Sequence, residues 1–181
     1  PLAVRYFALR CTWRAMTKTH KQTVFIVDDD ASVRKSLARL LRSEGIETET
    51  FESAPAYLER EAYDGVGCLL LDINMPEMTG IELIRQSLTR HPFTVPVIVT
   101  GFPDTKAAVE SLRVGAYDFI SKPFKLDTIY LVIGRALEKH NFLLEKDRYR
   151  RTLESEVAVR TEELQQINRD LMNLQNLARE T

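Results

Sequence analysis

Apolar residues recur along this chain with two different periods, and the alternation between them outlines a fold. From Thr23 to about Ser121, unbroken apolar runs (Val24–Val27, Cys68–Leu71, Val97–Val99) are separated by stretches in which apolar positions return every three or four residues. A continuous run of this kind reads as a parallel strand covered on both faces. Glu47-Thr48-Glu49-Thr50-Phe51 alternates instead, as a half-exposed edge strand does, and Asp118–Ser121 is a short candidate for the opposite edge. In the first helical stretch Val33, Leu37, Leu40 and Leu41 form the apolar stripe, and Arg34, Lys35, Arg39 and Arg42 fall on the solvent side. Asp30, Ser53, Thr79 and Asp104 stand where N-caps are wanted, the last three ahead of helices over Ala54–Glu61, Gly80–Leu88 and Thr105–Val114. Gly45 and Gly115 stand where helices end. The expected class is α/β, a doubly wound five-stranded parallel sheet. Right-handed crossovers with the second strand at an edge give the order 2-1-3-4-5, with its switch point between strands 1 and 3.

From Leu126 onward only Gly134 weakly interrupts a helical pattern of more than fifty residues. Leu126, Tyr130, Ile133, Leu137, His140 and Leu144 follow 4-3-4-3-4 spacing. A charged stretch, Glu145 to Arg151, then breaks the stripe. It resumes at Leu153, Val157, Arg160, Leu164, Ile167, Leu171, Leu174 and Ala178, all apolar but Arg160. One unbroken helix would be roughly 80 Å long. A seam that long asks for a partner helix, so the expectation is a coiled coil and a homodimer, with the phase change near Glu145–Arg151 a stutter. The bland alternative is a solvated helix carrying ion pairs such as Glu156–Arg160.

Length and composition narrow the picture. The 181 residues suffice for one domain plus an extension, read as an N-terminal extension over 1–21, a domain over 22–140 and a coiled-coil linker over 141–181. A net charge of −1 lends no support to nucleic-acid or membrane-surface binding by the whole chain. No apolar stretch approaches the roughly 20 residues that span a bilayer. Two distant cysteines make no disulfide framework, so a cytoplasmic location is expected. Residues 1–15 hold Arg5, Arg10 and Arg14 with no acid, and Met16 looks like a natural start; they read as an upstream extension.

The chemistry sits at the ends of the strands. Asp28-Asp29-Asp30 closes the first apolar run, Asp72 closes the third, and Lys122-Pro123 follows the fifth. If these are neighbouring parallel strands, carboxylates and an ammonium share one pocket. Clustered carboxylates raise one another's proton affinity unless a cation intervenes. Magnesium suits them, taking hard oxygen ligands while keeping exchangeable waters. With charge so neutralised, Asp72 can attack a phosphorus atom in line, and Thr100, beside the side-chain-free Gly101, can bond a phosphoryl oxygen. Each residue has a plainer reading too: helix caps for Asp28–Asp30, a surface lysine for Lys122, a core ring for Phe119. Together they favour the shared pocket. His20, His91 and His140 have no ligand spacing.

The segments Val27-Asp28-Asp29-Asp30, Leu71-Asp72-Ile73-Asn74-Met75-Pro76, Val99-Thr100-Gly101, Gly115-Ala116-Tyr117-Asp118-Phe119 and Ser121-Lys122-Pro123-Phe124 resemble the receiver domain of two-component response regulators, over about residues 22–140. The resemblance implies a phosphoacceptor signalling domain rather than an enzyme, with Asp72 as acceptor. It makes Asp29, Asp72 and the backbone carbonyl of Asn74 magnesium ligands, with Asp28 acting through water. It pairs Lys122 with the phosphoryl group across a cis Lys122-Pro123 bond, and makes Thr100 and Phe119 a switch pair. The implied partner is a sensor histidine kinase or phosphotransfer protein, and the implied dimer uses the fifth-helix face and the coil. Asn74 stands where a haloacid-dehalogenase-like phosphotransferase needs its acid/base aspartate, and the acids after strand 1 would repel the phosphate of a flavodoxin-like carrier. The segment Leu153–Leu164 is similar to linkers preceding cyclic-dinucleotide phosphodiesterases of the HD-GYP type, histidine kinases or diguanylate cyclases. An effector is therefore expected beyond Thr181. A DNA-binding output is the alternative, although these 181 residues hold neither a helix-turn-helix pattern nor a basic recognition helix.

Overall fold

A computed structural model describes residues 22–61, 63, 65–101 and 105–179, without the side chains of 105–108, 174 and 176–179. The expectations placed on residues 1–15, His20 and Asp104 lie outside the described residues. Five strands, β1 (Gln22–Val27), β2 (Glu47–Phe51), β3 (Val66–Asp72), β4 (Pro96–Thr100) and β5 (Asp118–Ser121), alternate with helices α1 (Ala31–Ser43), α2 (Ala54–Leu58), α3 (Gly80–Arg90), α4 (Thr105–Val114) and α5 (Leu126–Arg179). The strands form one parallel sheet in the order β2-β1-β3-β4-β5. These residues fall into two compact units, one ending at Asn141 and one beginning at Phe142.

The unbroken apolar strands are buried on both faces. Phe25, Val27, Leu69, Leu71 and Ile98 join Tyr57 of α2 and Leu83 and Ile84 of α3 in one cluster. Strand alternation puts Val24, Ile26, Cys68, Leu70, Val97 and Val99 on the other face, and Leu37 and Leu41 of α1 and Ile129, Ile133 and Leu137 of α5 are buried too. Asp30 and Ser53 cap their helices, and Thr79 forms a reciprocal capping box with Glu82. Gly45 and Gly115 take positive φ after α1 and α4. α2 is shorter than its sequence suggested, ending at Leu58 with Glu59 as C-cap.

The stripe at the start of α5 turns out differently. Ile129, Val132, Ile133, Ala136, Leu137 and His140 are buried within the first unit, while Leu126 is exposed. This stripe faces the sheet and is no coil seam. The change of phase at Glu145–Arg151 therefore marks where the apolar face that serves the domain gives way to a different one beyond it.

His140, given no role by spacing, has a structural one. The Leu69 N–H donates to Val95 O, so Gly67, two residues earlier on β3, points its backbone groups to the same side. β4 begins only opposite Leu69. His140 Nδ1 fills the gap, 2.8 Å from Gly67 N and 2.5 Å from Gly67 O. Burial pushes the imidazole below the ordinary histidine value of 6.5, opposed by the Gly67 bond.

In the second unit Leu153, Val157, Leu164, Ile167 and Leu171 are all exposed. Arg160 pairs with Glu163 at 3.0 Å, one turn C-terminal, in place of the anticipated Glu156. Arg150 and Arg151 both reach Asp147. Exposed pairs like these add little stability. The side chains of Leu174 and Ala178 lie outside those described.

Candidate functional site

Strand order decides the site. β1 and β3 are neighbours at the point where the chain reverses its direction of winding, so both C-terminal ends open on the same crevice. Asp28 follows β1 directly and is buried, Asp29 is exposed, and Asp72 ends β3 half-buried. One carboxylate oxygen from each lies within 4.8 Å of the others. Asp30 does not join them: its side chain accepts from Ser32 N at 2.7 Å and caps α1.

Lys122 crosses from the end of β5. Its Nζ donates to Asp28 Oδ2 at 3.0 Å and lies 3.7 Å from Asp72 Oδ2. Its own N–H donates to Thr100 O at 2.6 Å, which ties the backbone that carries it to the end of β4. The Lys122–Pro123 bond is cis. Asp72 Oδ1 accepts from the Ile73 N–H at 3.0 Å. Burial pushes the Asp72 carboxyl above the ordinary value of 3.8; Lys122 pulls it down, and Asp28 and Asp29 push it up. One ammonium for three acids leaves net negative charge, which is the donor chemistry a hard divalent cation takes. The three carboxylates fit magnesium.

Thr100 is buried at the end of β4, Asn74 is exposed on the loop after Asp72, and Phe119 on β5 is 44% exposed, its ring on the outside. The loop after Asn74 turns sharply. Glu77 has φ 67°, and Met78 N–H donates to Pro76 O at 2.7 Å, a γ-turn of the rare positive-φ kind. It returns the chain so that Gly80 N–H reaches Ile73 O at 2.9 Å and α3 starts against the end of β3.

Two residues of the site escaped sequence reasoning. Gly80 read as an ordinary helix start, yet a Cβ there would lie 2.3 Å from Asp72 O. Arg34 was assigned to solvent, yet its Nη1 donates to the carbonyls of Asp28 and Asp29 at 2.6 and 3.0 Å. Position four after Asp30, one helical turn on, was the available signal.

The family model described as "Response regulator receiver domain" matches residues 24–133, well over half the chain. The chain belongs to the response regulator receiver family. Receiver domains are signalling domains of two-component systems. The chain is 37% identical to the C4-dicarboxylate transport transcriptional regulatory protein DctD of Rhizobium meliloti over 74% of its length and 29% of that protein's. It is 38% identical to the transcriptional regulatory protein FixJ of Bradyrhizobium diazoefficiens over 67% of its length and 59% of the relative's. The solved response regulator StyR superposes with a TM-score of 0.70 at 38% identity, covering 75% of this chain and 68% of that one. A receiver domain from Clostridium thermocellum, 22% identical with a TM-score of 0.63, shares the fold. The chain thus spans 59% or less of these two curated relatives. Among the described residues no helix is long and apolar enough to cross a membrane.

Proposed function

We propose that this receiver accepts a phosphoryl group on Asp72 from a sensor histidine kinase or a phosphotransfer protein. The observation that carries the reading is the meeting of three carboxylates and one ammonium at the β1/β3 switch point, with Lys122 Nζ 3.7 Å from Asp72 Oδ2. An Asp72 carboxylate oxygen forms the bond to phosphorus. The bond between phosphorus and the donor nitrogen breaks, its electron pair returning to the imidazole. Lys122 pairs with the phosphoryl oxygens, and the Thr100 hydroxyl moves to bond one of them while the Phe119 ring turns inward. Asp29, Asp72 and the Asn74 backbone carbonyl would hold magnesium, with Asp28 acting through water, and the bound ion would neutralise charge on the transferring group. Incubation with labelled acetyl phosphate and magnesium is expected to place a single hydroxylamine-labile phosphoryl group on the peptide containing Asp72. Label confined to any other peptide would move the acceptor.

The output runs through α5. The change at Thr100 and Phe119 reshapes the α4–β5–α5 face, through which two copies associate, and the coil carries it to an effector. The exposed seam from Leu153 to Leu171 supports pairing. With Val157, Leu164 and Leu171 as one seam column, the flanking column before it holds Glu156, Glu163 and Asp170. Antiparallel helices would set these acids against each other. Parallel helices set them opposite Thr161, Asn168 and Gln175 of the second copy. Cysteines placed singly at 157, 164 and 171 in a Cys11→Ser background are therefore expected to crosslink all three pairs. Crosslinking at one position alone would indicate antiparallel helices, and patterns identical with and without a phosphate mimic would exclude transmission by this route. Two outputs have specific support: the linker's likeness to those before HD-GYP-type phosphodiesterases, and relatives named as transcriptional regulators.

A further inference from the structure

The geometry points to Arg34 as a positioning residue for the metal-holding acids, clamping the turn that carries two of them. Asp28 and Asp29 are consecutive, and their carboxylates serve one site only if the backbone between them holds a fixed course. The turn has a few other anchors. The Asp28 N–H donates to Phe51 O at 3.3 Å, and the Asp30 N–H to Asp28 Oδ1 at 2.9 Å. Neither touches the carbonyls of Asp28 and Asp29. Arg34 Nη1 takes both, at 2.6 and 3.0 Å, reaching back from the first turn of α1. The half-buried side chain also lines an open groove along α1 with Lys35, Arg39, Arg42 and Thr50.

Charge-assisted bonds from one planar group to two successive carbonyls fix the peptide planes on both sides of Asp29. The need is specific, because three carboxylates within 4.8 Å repel, and Asp29, exposed and nearest to solvent, is the one free to swing away. Arg34 opposes that swing without contacting the acids' own oxygens, leaving those oxygens for a cation.

The inference rests on the proposed metal role of Asp28, Asp29 and Asp72, and one measurement separates it from simple electrostatics by sign. Removing a cation beside a divalent-ion site strengthens metal binding when charge alone acts; removing a clamp weakens it. Calorimetric titration of Mg²⁺ into the full chain is expected to show Arg34→Met binding about tenfold or more weakly than wild type, as loss of an outer-shell partner commonly does. Lys35→Met, which removes a neighbouring exposed cation, is expected to bind as well as wild type or better. Arg34→Lys keeps the charge but is too short to serve both carbonyls, so intermediate weakening is expected. It also decides the matter if the methionine variant does not fold. Amide exchange at Asp29 and Asp30 should quicken in Arg34→Met while β3 amides stay protected. Mg²⁺ affinity in Arg34→Met or Arg34→Lys equal to wild type, or tighter, overturns the clamp. Wild type that binds no Mg²⁺ overturns the metal role itself, and the clamp with it.

Discussion

Asp72→Asn is expected to abolish phosphorylation and, in protein freed of divalent cations, to raise the melting temperature at pH 7. The two effects have one cause. Burial and the neighbouring Asp28 and Asp29 raise the Asp72 carboxyl above 3.8, and Lys122 only partly offsets them. A carboxyl whose proton affinity rises on folding favours the native state below its ordinary value, and that contribution is lost as pH rises through the elevated one. At pH 7 the ionised group therefore opposes folding. Asparagine carries no charge at any pH, keeps the shape, and leaves Lys122 its 3.0 Å partner Asp28. Wild type and variant should melt alike in acid below 3.8 and separate by on the order of a few degrees near neutrality. A variant that melts lower at pH 7 without divalent ions would show that the Asp72–Lys122 attraction outweighs the repulsion. Labelling by acetyl phosphate should fall to background, because an amide oxygen is not the nucleophile a carboxylate is.

Gly80→Ala is expected to cost about 1–3 kcal/mol of stability, the usual penalty for forcing atoms into a filled space. It should also lower the phosphorylation rate beyond what the unfolded fraction explains. The added Cβ would meet Asp72 O at 2.3 Å and Ile73 Cα at 2.9 Å. Both are backbone atoms at the end of β3, so relief comes only by moving the segment that aims Asp72. Gly45→Ala is the control. Its Cβ meets nothing within 4 Å, and only the φ of 82° is unfavourable. That strain costs about 1–2 kcal/mol and leaves the site untouched. Urea denaturation and acetyl-phosphate labelling on both variants separate the effects. Equal labelling rates would show that the α3–β3 contact does not set the acceptor's position.

Periodicity made the sheet legible because strands covered on both faces have no choice but to be apolar throughout. The alternating Glu47–Phe51 placed β2 at an edge for the converse reason, and the edge position forced the order that brings Asp28 and Asp72 together. The α5 stripe was harder. A helix face buried against a sheet and a face buried against another helix show the same three-and-four spacing, so Ile133 and Leu137 read as seam until the fold claimed them. Arg34 shows a different limit. A basic residue on a helix reads as solvated, and its place one turn after Asp30 was the sole local sign that two carbonyls lie within its reach.

What the chain's residues determined alone was the set of elements, their order, and the chemical kind of group at each strand end, since burial acts on each run of side chains separately. Tertiary structure decided what those groups touch. Asp30 became a cap while Asp28 and Asp29 joined Asp72, Lys122 reached past β4 and β3 to meet them, His140 closed the gap beside Gly67, and Gly80 let a helix rest on the acceptor's own carbonyl. Each of these depends on distances between segments remote in sequence, and such distances exist only once the sheet has been assembled.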